Sequence, residues 1–220
     1  MPSPIRAVLY DFDGTLADST DLIMRCWRHT MNTHLGHCPP DEVWLSGFGL
    51  PLVDQLARFS RSDEEHQAML ESYRVHQNEL FDSALQPFPG AAATVAELAR
   101  RGIRLAIVTS RLRRATLRGL DVCGLASHFD VVVTPDDVTN PKPDPEPVVL
   151  ALRQLGVAPG EALFVGDSPY DMAAGRAAGT RVAAAMWGPF SREALEEAGA
   201  DHFLERQEEV LELVGAGAAE

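Results

Sequence analysis

Lysine is nearly missing from this 220-residue chain: eighteen arginines carry the basic charge and Lys142 stands alone. Cysteine is scarce as well. Cys26, Cys38 and Cys123 are odd in number and scattered, which argues against a disulfide framework and for a reducing compartment. No apolar run approaches the ~20 residues a membrane helix needs. The opening Met1-Pro2-Ser3-Pro4-Ile5-Arg6 lacks the basic, long apolar and small-residue regions of a signal peptide. A cytoplasmic location without a membrane partner is the expectation, for a monomer or homodimer. Positive charge is short overall. A net charge of −13 argues against nucleic acid, whose affinity rests on neutralising phosphates with basic side chains. An anionic substrate would need positive charge concentrated locally, by a metal ion or a few chosen residues.

What is present is ordinary for a globular protein, with 45% hydrophobic and 23% charged residues. The length suits one domain or a domain with a modest insertion. Residues 5–10 form a short apolar run that meets Asp11, the pattern of a buried strand. Further runs of this kind are Ile103–Thr109, Phe129–Val133, Ala162–Gly166 and Arg181–Ala185. Helical patterns lie between them. One stops at Gly102, one runs from Val148 to Leu155 and stops at Gly156, and one runs from Tyr170 to Ala178 and stops at Gly179. Pro145 and Pro147 suit the first turn of the second. Strand alternating with helix from about residue 85 predicts an α/β fold: a Rossmann-like parallel sheet with right-handed crossovers.

The interval from Ala17 to Leu85 breaks the alternation. Asp18 or Ser19 can cap a helix with apolar positions at Leu22, Ile23, Cys26, Trp27 and Met31. Pro39-Pro40 interrupts, and helical segments follow around Pro51–Phe59 and Asp63–Leu80. Pro87-Phe88-Pro89-Gly90 marks the return to the sheet. The expected division is therefore a core of residues 1–16 and 86–220 with a helical domain of residues 17–85 inserted after the first strand. The tail Gly215–Glu220 is low in complexity and is expected to fray.

Four short segments sit where predicted strands end, the place where open α/β sheets bind ligands. In Asp11-Phe12-Asp13-Gly14-Thr15-Leu16, two carboxylates at i and i+2 point the same way if the extended backbone persists. One carboxylate can attack phosphorus; the other can protonate a leaving oxygen and later deprotonate water. By itself the segment is more readily an exposed acidic turn than a catalytic pair. Thr109 and Ser110 offer hydroxyls and backbone N–H groups for a phosphoryl oxygen, although Thr-Ser also starts many helices. Lys142, held between Pro141 and Pro143, is a compact ammonium suited to a phosphate. Asp167 and Asp171, in Gly166-Asp167-Ser168-Pro169-Tyr170-Asp171, are hard oxygen donors of the type magnesium prefers; the plainer reading is a capped helix start. A zinc reading of His34, His37 and Cys38 lacks a fourth spaced ligand.

In this order the four segments resemble the haloacid-dehalogenase superfamily of phosphohydrolases over essentially the whole chain. The resemblance implies that Asp11 is the nucleophile and Asp13 the general acid/base. It implies that Thr109 and Lys142 hold the phosphoryl group, and that Mg2+ is held by Asp11, Asp13 (through its backbone carbonyl), Asp167 and Asp171. The helical insert is similar to this family's mobile cap. Gly47-Phe48-Gly49-Leu50-Pro51-Leu52, Tyr73-Arg74 and the stretch 133–147 are closest to the phosphoglycolate-phosphatase and bacterial-pyrophosphatase branch. The substrate implied is a small phosphorylated metabolite. The pattern departs at Ser110-Arg111, where relatives often carry an amide or hydroxyl residue followed by lysine; Arg111 becomes the candidate contact for the non-reacting part of an anionic substrate. Sugar-phosphate mutases resembling this family have a histidine twelve residues after the nucleophile and a lysine in the cap. Here the position is Ile23 and the insert has no lysine. A non-catalytic binding module on the same fold is the other alternative, and would not need to keep both carboxylates, the lysine and the metal pair.

Overall fold

A computed structural model describes residues 3–215; the tail reading at residues 216–220 lies outside the described residues. In chain order the elements are β1 (Ala7–Tyr10), β2 (Ala17–Asp18), α1 (Thr20–Leu35), α2 (Asp41–Leu45), α3 (Leu52–Ala57), α4 (Asp63–Ala84), β3 (Gln86–Pro87), α5 (Ala91–Arg100), β4 (Arg104–Val108), α6 (Arg113–Val122), β5 (Val131–Val133), α7 (Glu146–Leu155), β6 (Ala162–Gly166), α8 (Pro169–Ala177), β7 (Arg181–Ala185), α9 (Arg192–Glu197), β8 (His202–Leu204) and α10 (Val210–Gly215). Six strands form one sheet in the order β5-β4-β1-β6-β7-β8. Every pairing in it is parallel. The chain leaves β1 towards β4 and β5, then returns to the other side of β1 for β6, β7 and β8. The carboxyl end of β1 is therefore a topological switch point, where neighbouring connections diverge and open a crevice.

Strand alternation divides the apolar residues between two cores. Val8 and Tyr10 of β1 join one cluster, with Leu105, Ile107, Leu163 and Val165. Ala7 and Leu9 face the opposite way, with Ala106, Val108, Phe164 and the α7 residues Val148, Ala151 and Leu152. Burial on both faces is why these strands read as continuous apolar runs. The sequence pattern misses β8, α2, α6 and α9. Each is short or polar on its outer side, so periodicity marks it weakly.

Between β1 and β4 the chain is mainly helical, α1 packing along α4. Trp27 and Trp44 stack at 4.6 Å, with Phe59 4.8 Å from Trp27. The two connections to the sheet run side by side as the antiparallel pair β2–β3. Ser19 occupies the position before α1 but makes no capping bond with its side chain, a departure from the expected cap. Ser62 does cap α4, accepting from the Glu65 N–H. His34, His37 and Cys38 form no metal cluster among the described residues. No helix among those residues is long and apolar enough to cross a membrane.

Candidate active site

Asp11 is the first residue past β1, and its N–H bonds the Val165 carbonyl of β6 at 2.9 Å. The extended conformation does not continue to Asp13. The chain turns at Gly14, whose φ is +78°, a value that favours glycine. A Cβ there would lie 2.3 Å from Asp167 Oδ2, so space as well as torsion demands glycine. The turn is pinned from above by Trp187 Nε1 and Gln207 Nε2, both donating to the Thr15 carbonyl at 3.0 and 2.6 Å. Ahead of this turn the two carboxylates meet different cations, while both line one cavity.

Lys142 is 2% exposed. Its Nζ donates to Asp171 Oδ1 at 2.6 Å and to the Val108 carbonyl at 3.1 Å, and stands 3.0 Å from Asp11 Oδ1. Pro141 and Pro143 flank it, and the Lys142–Pro143 peptide is cis. Burial works against the ammonium's charge, but the Asp11 and Asp171 carboxylates outweigh it and raise its pKa. The lone lysine is thus a fixed internal cation.

Asp171 holds that lysine with one oxygen and with the other accepts from Ser168 N–H and Oγ–H, at 3.0 and 2.6 Å. Ser168 and Asp171 form a reciprocal capping box at the start of α8. The capped helix start is therefore realised, and the same carboxylate also holds Lys142. Asp167 Oδ1 accepts from the Thr15 hydroxyl at 3.0 Å, whereas its Oδ2 has no partner among the described residues. Asp11 Oδ1, beyond its ion pair, receives no well-directed hydrogen bond.

Asp11, Asp167 and Asp171 bring carboxylate oxygens within 4.8 Å of one another, all buried. Burial pushes Asp11 up to about 7, with Lys142 lowering it and Asp171 and Asp13 raising it. Burial and the neighbouring Asp11 and Asp171 charges drive Asp167 far above the carboxylate range. Unpaired buried oxygens on hard, mutually repelling donors fit a small divalent cation, which would reverse both shifts. The Asp13 carboxylate is not part of this cluster. It takes a two-pronged bond from Arg111, Nε to Oδ2 at 2.7 Å and Nη2 to Oδ1 at 2.6 Å.

Thr109 is buried at the end of β4, its N–H on the Val133 carbonyl and its hydroxyl accepting from Arg111 N–H. The Ser110 hydroxyl donates at 2.6 Å to the Gly49 carbonyl, in the loop between α2 and α3. Tyr170 Oη likewise donates to the Ser46 carbonyl at 3.2 Å. A Cβ on Gly49 would lie 2.7 Å from Ser168 Oγ, so the 46–50 loop sits directly on the two loops that carry the site. Sequence reasoning left Thr15, Ser168 and Phe81 without roles. Thr15 and Ser168 lie inside the quoted motifs, where their hydroxyls were the available signal; the Phe81 ring packs 5.3 Å from the Arg111 guanidinium, a contact with no local signature.

Residues 8–185 match the family model described as haloacid dehalogenase-like hydrolase. The chain is 37% identical to the pyrophosphatase PpaX of Bacillus velezensis over 214 residues, 96% of this chain and 97% of that protein. It is 38% identical to the pyrophosphatase PpaX of Bacillus pumilus over 216 residues, 97% and 98% of the two chains. Among solved structures it superposes on CbbY from Rhodobacter sphaeroides in complex with phosphate, with a TM-score of 0.81 at 27% identity, covering 96% of this chain and 99% of that one. The parallel sheet, the acidic switch point and these likenesses agree: the chain belongs to the haloacid dehalogenase-like hydrolase family.

Proposed function

We propose that the protein is a Mg2+-dependent phosphatase that hydrolyses a small phosphorylated metabolite or phosphoanhydride through a phospho-aspartate at Asp11. The observation that carries this reading is the Asp11–Lys142–Asp171 chain at the switch point, a buried nucleophile candidate held against a buried cation. In it the Asp11 carboxylate attacks phosphorus in line and the leaving oxygen departs with a proton from Asp13. Asp13 then takes a proton from the water that cleaves the acyl phosphate. Lys142 offsets the repulsion between Asp11 and the incoming phosphoryl oxygens, and Thr109 supports that group. Magnesium, held by Asp11, Asp167 and the Asp13 carbonyl with Asp171 behind them, would supply charge neutralisation for the transferring group.

Residues 1–16 and 86–220 are proposed as the catalytic core and residues 17–85 as a cap that closes through the Ser110–Gly49 and Tyr170–Ser46 contacts. The pyrophosphatases among the relatives support inorganic pyrophosphate as one substrate to test, and the motif resemblance supports phosphoglycolate as the other. Ile23 lines the cavity where a mutase of this fold would need its histidine, which favours hydrolysis over phosphoryl transfer between sugars. The test is phosphate release across pyrophosphate, phosphoglycolate, sugar phosphates and nucleotides with magnesium present. Absence of release from all of them would overturn the reading.

A further inference from the structure

The cavity above Asp11 and Asp13 has a volume of about 730 Å3, within the ~300–1,000 Å3 typical of sites for organic ligands of drug size. Its wall on the side of the helical insert is mostly apolar, including Phe48, Leu50, Tyr73 and Phe81, with Gln55, Glu71, Gln77 and Asn78 among them. The surface carries the same signature. Of the six large apolar side chains that stand exposed among the described residues, Val53, Val75 and Leu112 line this cavity. Solvent-exposed apolar groups gathered around one concavity mark a binding surface.

The charges point the same way. The two buried cations of the site are already matched, Lys142 by Asp11 and Asp171 and Arg111 by Asp13. Arg111 keeps one buried donor, Nη1, without a partner among the described residues, but no unbalanced buried charge is left over for a second phosphate. Arg74, Arg114 and Arg118 also line the cavity; the first two are exposed, where water and salt weaken their pull, and Arg118 is paired with Asp82.

We propose that the preferred substrate is an organic phosphomonoester whose alcohol carries an apolar body, seated against Phe48, Leu50, Val53 and Val75, and that inorganic pyrophosphate fills only the cavity floor. This rests on the phosphatase reading above. Contacts made by the remote body are the ones that raise kcat/KM beyond what the phosphoryl group alone supplies.

The experiment compares ethyl phosphate, 3-phenylpropyl phosphate and pyrophosphate with magnesium saturating. The two esters share an alkyl leaving oxygen, so only the body differs. The phenylpropyl ester should exceed the ethyl ester in kcat/KM by ~10-fold or more, the scale set by one well-placed methylene in an apolar pocket. The double variant Val53→Ser, Val75→Ser alters two exposed positions and should shrink that ratio at least threefold. A flat or inverted ratio, or a double variant that keeps the wild-type ratio, overturns the inference while leaving the phosphatase reading intact. A kcat/KM for pyrophosphate above that of the phenylpropyl ester does the same. No phosphate from any of the three overturns the inference, and the phosphatase reading falls with it only if phosphoglycolate, sugar phosphates and nucleotides also release none.

Discussion

Arg111 holds both carboxylate oxygens of Asp13 in a planar fork, through Nε at 2.7 Å and Nη2 at 2.6 Å, with the Phe81 ring against its other side. Its side chain is 6% exposed and that of Asp13 17%, so water does little to loosen the pair. A lysine offers a point charge in place of this fork, so the arginine aims Asp13 as well as balancing it. Arg111→Ala should lower kcat at least ~10-fold with substrates that need a protonated leaving oxygen. The loss should be smaller with 4-nitrophenyl phosphate, whose phenolate leaves unaided. Arg111→Lys should recover part of it. Equal losses on both substrate types would show that Arg111 acts on the phosphoryl group instead of on Asp13.

Asp11→Asn keeps the shape of the side chain but removes its capacity to attack phosphorus, and should leave no more than about 1% of wild-type turnover. Asp13→Asn should retain more activity on activated esters than on alkyl esters. Rapid-quench detection of an acid-stable phosphoenzyme in the Asp11→Asn protein would assign the nucleophile elsewhere.

Removing Lys142 leaves the buried Asp11 and Asp171 carboxylates without their shared partner. Lys142→Ala should destabilise the fold by about 3–5 kcal/mol, the scale of a broken buried ion pair, and lower kcat/KM by ~100-fold or more. Lys142→Arg should rescue only in part, because a guanidinium cannot fit the same compact point. Denaturant unfolding and steady-state kinetics read the two effects separately.

Burial pushes the Asp11 carboxyl up to about 7 in the folded, metal-free protein, above the ordinary carboxylate range of the unfolded chain. The folded state therefore holds a proton that the unfolded chain has released, and stability is greatest below that ordinary range and falls as pH rises through the raised value. Asp167 moves in the same direction. Metal-free protein should melt at lower temperature at pH 8 than at pH 5, and magnesium should raise the melting temperature more at pH 8. A melting temperature in chelator that rises across this range would contradict the proposed carboxylate cluster.

Gly14→Ala places a methyl group 2.3 Å from Asp167 Oδ2 on a backbone at φ +78°. It should raise the magnesium concentration for half-maximal activity at least ~10-fold, as displacement of a metal ligand's support does. Gly36→Ala, where a Cβ meets nothing within 4 Å at a similar φ of +74°, carries the backbone strain alone and should leave the magnesium curve in place.

The sequence by itself determined the sheet strands that are buried on both faces, because a segment with apolar residues on every side has no other stable place. It also determined the order of the acidic and hydroxyl motifs at the strand ends, since each is a local string following a local run. It marked Lys142 by composition alone. Only the tertiary structure decided which carboxylate meets which cation. Asp11 and Asp13 are two positions apart in sequence, yet one meets Lys142, 131 residues on, and the other Arg111, separated from Asp13 by 98 residues. It likewise set the Ser110 hydroxyl on the Gly49 carbonyl, and made Asp171 the anchor of both Lys142 and the α8 start. The physical reason is that hydrogen-bond partners and desolvation are set by distances between distant segments. Two residues on one short motif carry no record of the strand that will stand opposite them.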